Sequence, residues 1–268
     1  MNVDPTALNR TNVTFQRRHF VGFDFTMFKD DEVLRAIRAQ AHQSRFSYVV
    51  TPNTDHVVNL EKLDGTGVGY KLREAYAAAD LCLCDSRILV KLARLSGVRL
   101  DLLPGSDLTR LLFEETVIRA GDRVAVIGGA ADQVDWLREQ WPEIAFFGHV
   151  PPMGVLRSRE AQDAIIAFVE QAQCQFYLFA FGAPQSELVA WRLAKRGKAQ
   201  GVALCIGASI EFLSGAKARA PHYVQELSLE WAFRLATEPR RLWRRYMVDG
   251  PRILPIWWRD RVARRHRS

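Results

Sequence analysis

Short apolar runs and stretches of helical period take turns along most of the chain. Residues 20–28 alternate as a strand does, and Asp30-Asp31 is placed to cap a helix reaching Ala41. A second strand, 46–51, ends at the polar turn Pro52-Asn53-Thr54-Asp55. Residues 56–79 read as helix interrupted by the glycine-rich segment 65–69. The apolar run 81–84 leads through Asp85-Ser86 into a helix over 87–95. Ser106 or Asp107 caps a helix to Ala120, and strand 123–127 runs through Gly128-Gly129 into a helix over 132–140. Strand 144–147, helix 158–171, strand 175–181, helix 184–196 and strand 202–206 complete the series. Strands alternating with helices are βαβ units. They predict an α/β, Rossmann-like fold: a mostly parallel sheet with helices on both faces.

Such a sheet binds its ligand outside the carboxyl ends of its strands. The residues to inspect are therefore Thr51-Pro52-Asn53, Asp85-Ser86, Gly128-Gly129, Gly182-Ala183-Pro184 and Gly207-Ala208-Ser209. Nearly all are small, polar or acidic, which suits a polar ligand. Asp85 has two readings, an N-cap or a general base within reach of a bound hydroxyl, and position alone favours the cap. Thr51 and Asn53 flank a proline; such a turn either reverses the chain or presents a hydroxyl and an amide rigidly. Val126-Ile127-Gly128-Gly129 is half of a dinucleotide fingerprint. Without the full G-x-G-x-x-G it argues against NAD and leaves phosphate binding at a helix N-terminus open. The histidines (19, 42, 56, 149, 222 and 266) lack ligand spacing, and neither HExxH nor D-x-D occurs, so no metal or other cofactor is expected. No G-x-S-x-G elbow is present to imply an acyl hydrolase.

Composition changes the picture mainly at one end. With 268 residues, 48% apolar and 25% charged, the chain can bury a sizeable core, which excludes disorder and a disulfide mini-protein. The four cysteines (82, 84, 174 and 205) sit in apolar runs without pairing, as in a reducing compartment. Residues 231–268 hold 11 Arg, no Lys and 3 acids, and the preceding 230 residues carry a net −1 out of the total +7. Four of the seven tryptophans (231, 243, 257 and 258) lie in that tail. A basic tail can be solvated, can bind nucleic acid phosphates, or can lie in an anionic bilayer interface. The adjacent Trp257-Trp258 and the all-arginine basic face favour the bilayer. Residues 1–10 carry no signal-peptide pattern and no run reaches about 18 apolar residues, so a cytoplasmic chain is expected.

The tail also carries a resemblance. Arg219-Ala220-Pro221, Leu229-Glu230-Trp231, Arg234-Leu235 and Glu238-Pro239-Arg240-Arg241-Leu242-Trp243-Arg244-Arg245-Tyr246 resemble the C-terminal signature of the WecG/TagA/CpsF glycosyltransferases, glycosyltransferase family 26. Matches upstream fall in the same order: Thr51-Pro52-Asn53, Asp85, Gly105-Ser106-Asp107, Ile127-Gly128-Gly129, Gly182-Ala183-Pro184 with Glu187, and Ile206-Gly207. The similarity covers roughly residues 20–250. It implies an inverting, metal-independent enzyme that moves a sugar from a UDP-sugar to a polyprenyl-diphosphate-linked sugar in exopolysaccharide or cell-envelope polymer assembly. Asp85 then becomes the candidate base rather than a cap. Thr51, Asn53, Gly105, Asp107, Gly128, Gly129, Gly182, Pro184, Glu187 and Glu211 become candidates for substrate binding.

The chain departs from the family pattern at four places. Cys84-Asp85-Ser86 replaces Pro-Asp-Gly, Pro184-Gln185-Ser186-Glu187 replaces Pro-Lys-Gln-Glu, Glu211 replaces Asp, and Pro151-Pro152-Met153-Gly154 replaces a Gly-Tyr element. The departures cluster where a donor-specific contact would sit. That favours UDP-glucose over UDP-N-acetylmannosamine or its uronic acid as the donor.

The expected organisation is a catalytic α/β domain over 1–215 and a membrane-associating appendage over 216–268. Arg234, Arg240, Arg241, Arg244 and Arg245 are expected to meet the lipid diphosphate and an anionic membrane surface, with the protein peripheral on the inner face of the cell membrane. Self-association is a second way to cover the amphipathic tail. A nucleic-acid binder would explain the tail but not the polar strand ends. A catalytically inactive membrane adaptor would explain the tail and the departures.

Overall fold

The computed structural model describes residues 14–265 except 30, 219, 222, 223 and 225–228. The expected cap Asp30, the motif residue Arg219, His222, His266 and the N-terminal segment 1–10 therefore lie outside the described residues.

Among the described residues, six strands form one parallel sheet in the order β4-β3-β8-β7-β5-β6. They are β3 (Phe46–Val50), β4 (Leu81–Cys82), β5 (Arg123–Gly128), β6 (Ala145–His149), β7 (Phe176–Ala180) and β8 (Gly201–Cys205). The central strands β3 and β8 are buried along their whole length, because a parallel sheet covered on both faces leaves no wet side. One apolar cluster packs each face. Tyr48, Val50, Tyr177 and Phe179 belong to one, and Val49, Val126, Leu178 and Leu204 to the other, following the period-two alternation of strands.

The remaining expectations need four adjustments. Residues 20–28 are not one strand: β1 (Arg17–Phe20) and β2 (Phe23–Thr26) form an antiparallel hairpin, because Val21 and Gly22 both turn at positive φ. Asp31 flanks α1 (Glu32–Ala41) without a capping bond, and its carboxylate pairs instead with Arg35 at 2.5 Å. Neither Ser106 nor Asp107 caps α5 (Gly105–Glu114), which starts a residue earlier behind Pro104 and ends well short of Ala120, where Thr116 turns to φ 51°. The run 81–84 pairs only as far as Cys82, with Cys84 making a single bridge to Leu102.

Gly128 closes β5 at φ +89°, and a Cβ there would meet the Ala180 carbonyl carbon at 2.9 Å. Gly128→Ala is expected to destabilise the fold by about 2–4 kcal/mol through strain and overpacking. A lower urea midpoint at unchanged slope would show it.

The C-terminal segment folds back over the sheet's carboxyl edge. It consists of α10 (Glu230–Thr237), α11 (Pro239–Trp243), a π-helical turn (Arg244–Asp249), a short 3-10 turn (Gly250–Arg252) and α12 (Ile253–Arg265). Ile253 and Ile256 enter the core, and the Trp257 indole donates to Leu92 O at 3.0 Å and to Ser96 Oγ at 2.8 Å. Lys62–Asp249 at 2.5 Å and an Arg259–Glu61 ion pair tie the segment to α2 (Thr54–Lys62). Trp258, by contrast, is exposed, so the two neighbouring tryptophans serve different faces. Among the described residues no helix is long and apolar enough to cross a membrane.

Candidate active site

The carboxyl ends of β3, β4, β7 and β8 converge on two cavities that meet at Asp85. Asp85 leaves the β4 end, with its backbone N–H bonded to Pro52 O at 3.0 Å. It does not cap the helix that follows. Ser86 does so, its hydroxyl accepting from Leu89 N at the start of α4 (Arg87–Leu95). The Asp85 carboxylate is thus left free to face the cavities. Burial pushes it up to about 6; Arg234 and His56 pull it down, Glu230 pushes it up and the Asn53 amide pulls it down. A carboxyl poised there takes a proton from a hydroxyl at neutral pH better than an ordinary aspartate would.

The first cavity, of about 360 Å³, is polar. Thr51, Asn53 and Asp85 line it. Gly129, Gly182, Glu187, Ser209 and Glu211 lie on the strand-end side, while Lys217, Arg234, Arg241 and Arg245 bring positive charge. The second, of about 440 Å³, is mostly apolar and runs between the core and the C-terminal segment. Val58, Ile88, Trp231, Tyr246, Ile253 and Leu254 line it, with Asn53 and Asp85 at its inner end. Arg234 and Arg245 border both cavities. Arg245 pairs with Asp55 at 3.5 Å and its Nε is buried without a partner, while the Arg234 guanidinium bonds Glu230 at 2.6 Å and lies 4.8 Å from the Phe212 ring centre.

The structure thus brings Thr51, Asn53, Asp85, Gly129, Gly182, Glu187, Glu211, Arg234, Arg241 and Arg245 together. Thr51 is buried and its hydroxyl bonds Cys205 O at 3.0 Å, so it fixes the β3 end against β8. Four other candidates stand back from the cavities. Gly105 packs against the Thr51 and Ser209 hydroxyls, and Gly128 against β7. Pro184 precedes α8 (Gln185–Arg196), and Asp107 pairs with Arg110 at 3.9 Å within α5. Arg240 and Arg244 are exposed and line neither cavity.

Among the lining residues that the sequence did not single out are His56, Lys217 and Ser186. His56 follows Asn53 by one helical turn in a capping box, a spacing visible in the sequence. Lys217 pairs with Glu211, and Ser186 bonds Glu187; both contacts depend on the fold. Among the described residues no group of three or more His, Cys, Asp or Glu is disposed to hold a metal ion.

Fold and site describe an α/β protein with a buried carboxyl, Asp85, between a polar and an apolar cavity at the carboxyl edge of a parallel sheet. The pattern of the Glycosyl transferase WecG/TagA/CpsF family matches residues 18–267, and the chain belongs to that family of glycosyltransferases.

Proposed function

We propose that the protein transfers a sugar from a UDP-sugar to a sugar carried on a polyprenyl diphosphate, with inversion and without a metal, at the cytoplasmic face of a membrane. The observation that carries this reading is the meeting of two chemically opposite cavities at Asp85. The polar cavity suits a charged nucleotide-sugar, and the apolar groove suits the lipid-linked acceptor. Asp85 takes the proton from the acceptor hydroxyl as that oxygen attacks C1 of the donor sugar. The C1–diphosphate bond breaks on the opposite face and UDP leaves with the bonding pair. Arg234, Arg241, Arg245 and Lys217 border the chamber in which that negative charge grows. Within this reading the segment 216–268 acts as the acceptor-binding and membrane-facing part, and 1–215 as the donor-binding part.

The test is UDP release from a panel of UDP-glucose, UDP-N-acetylmannosamine and its uronic acid, with vesicles carrying a polyprenyl-diphosphate-linked monosaccharide. Release that needs one donor and the acceptor together supports the transferase. Vesicle binding without release from any donor supports the inactive adaptor instead.

The outer side of the C-terminal segment supports the membrane part of the reading. Trp243 and Met247 stand one turn apart and exposed, as do Leu254, Trp258 and Val262 along α12, among exposed arginines. Replacing Trp243 and Trp258 together by serine is expected to weaken binding to anionic vesicles by at least about 10-fold while leaving UDP binding unchanged. Co-sedimentation at fixed salt measures it, and undiminished binding would remove this face from the account.

A further inference from the structure

Behind Asn53 lies a pair of groups that the reaction as written does not use. Glu187 is only 2% exposed. One of its oxygens accepts the Ser186 hydroxyl at 2.8 Å, and the other lies 3.5 Å from His56 Nε2. A carboxyl group this buried needs partners for its oxygens, and the His56 imidazole is the ring within reach of the second one. The far side of the ring serves Asn53. His56 Nδ1 lies 2.8 Å from Asn53 Oδ1 and 3.2 Å from the Asn53 backbone nitrogen. It accepts the backbone N–H when unprotonated and donates to Oδ1 when protonated.

Asn53 Oδ1 also accepts the Asp55 N–H at 3.0 Å, so the amide oxygen is held on the helix side. The amide nitrogen is thereby turned outward, and Nδ2 lies 3.5 Å from Asp85 Oδ2. Glu187, His56, Asn53 and Asp85 therefore form one line of contacts from the buried start of α8 to the junction of the cavities. Capping α2 needs only the Asn53 oxygen. A buried carboxylate behind the imidazole is more than a cap requires.

We propose that His56 and Glu187 form a positioning dyad that fixes which way the Asn53 amide faces and so holds the Asp85 carboxylate in its attacking orientation. The inference rests on Asp85 being the base. Neither member of the dyad needs to touch substrate for this role, although Glu187 also reaches the polar cavity wall. The charges around the line come from each element packed on it. Asp85 is faced by Asn53 at the cap of α2, by His56 from α2 and by Glu230 and Arg234 from α10, with the Asp55–Arg245 pair beside them. His56 is faced by Glu187 from α8 and by the Tyr76 ring from α3 (Gly67–Ala77), whose hydroxyl burial pushes up and keeps neutral.

His56→Gln and Glu187→Gln in the full chain test the dyad through the pH dependence of UDP release in the vesicle assay. A loosened base is expected to lower kcat about 10- to 100-fold. In His56→Gln the acidic limb should move to higher pH, because His56 is one of the groups that draw the Asp85 pKa down. A merely structural pair would lower the melting temperature without moving that limb. Should His56→Gln fail to fold, Glu187→Gln keeps the side chain's size and carries the test alone. Wild-type kcat in a folded Glu187→Gln protein would overturn the dyad. Asp85→Asn run alongside separates the two assignments. Activity lost there but intact in Glu187→Gln overturns only the dyad, whereas activity kept there overturns the base and the dyad together.

Discussion

Asp85→Asn is expected to lower transfer by about 10²–10⁴-fold, the worth of a positioned general base, while UDP binding stays nearly intact. The same substitution is expected to raise the melting temperature. Burial holds the folded-state carboxyl near 6, above the ordinary value of about 3.9 for an unfolded aspartate. Between those values the native chain keeps a proton that the unfolded chain has released. The favourable contribution of this group is therefore present below about pH 4 and is lost as pH rises through about 6. Above that, the ionised carboxylate costs the fold about 1–3 kcal/mol, and a neutral amide of the same shape relieves it. At pH 7.5 the variant should melt about 2–6 °C higher, as measured by calorimetry. Wild-type transfer should itself fall as pH drops below about 6, where the base becomes protonated. A variant that is inactive but no more stable would place the Asp85 charge in a better-solvated setting than its position at the cavity junction implies.

Arg234→Gln is the second large effect. Burial works against the charge of this guanidinium, yet Glu230, Tyr246 and Asp85 together hold its pKa above the ordinary arginine value. It borders both cavities, and under the proposed function it would meet both the leaving diphosphate and the acceptor diphosphate. Losing one such donor to developing negative charge typically costs about 10²–10³-fold in kcat. The defect should also depend on pH. Arg234 is the strongest of the charges drawing the Asp85 pKa down, so removing it raises that pKa and shrinks the ionised fraction most near neutrality. The ratio of wild-type to variant kcat/KM should accordingly be larger at pH 6.5 than at pH 8.5. A ratio constant across that range would mean that Arg234 acts on substrate alone.

The alternation of strand and helix was legible because parallel strands buried on both faces read as unbroken apolar runs, Val124 to Ile127 being the clearest. The hairpin at the start was not, since Val21-Gly22 carries none of the Asn-Gly or Asp-Gly chemistry that announces a tight turn. The strand-end rule located Thr51, Asn53, Asp85 and Gly182 without knowledge of their neighbours. It said nothing of His56, whose partner Glu187 arrives from a helix far along the chain. The cap reading of Asp85 failed because Ser86, one residue later, has the geometry to reach Leu89 N. Composition marked the tail as basic and tryptophan-rich but could not assign its faces. A helix turns by about 100° per residue, so Trp257 packs on Leu92 while Trp258 faces outward.

The most direct test of the account is the configuration of the new glycosidic bond. One in-line displacement with Asp85 as base predicts that an α-linked UDP-sugar gives a β-linked product, read from the one-bond C1–H1 coupling of the isolated lipid-linked sugar. A product with the α configuration retained would contradict it, because a single in-line attack by the acceptor oxygen inverts C1.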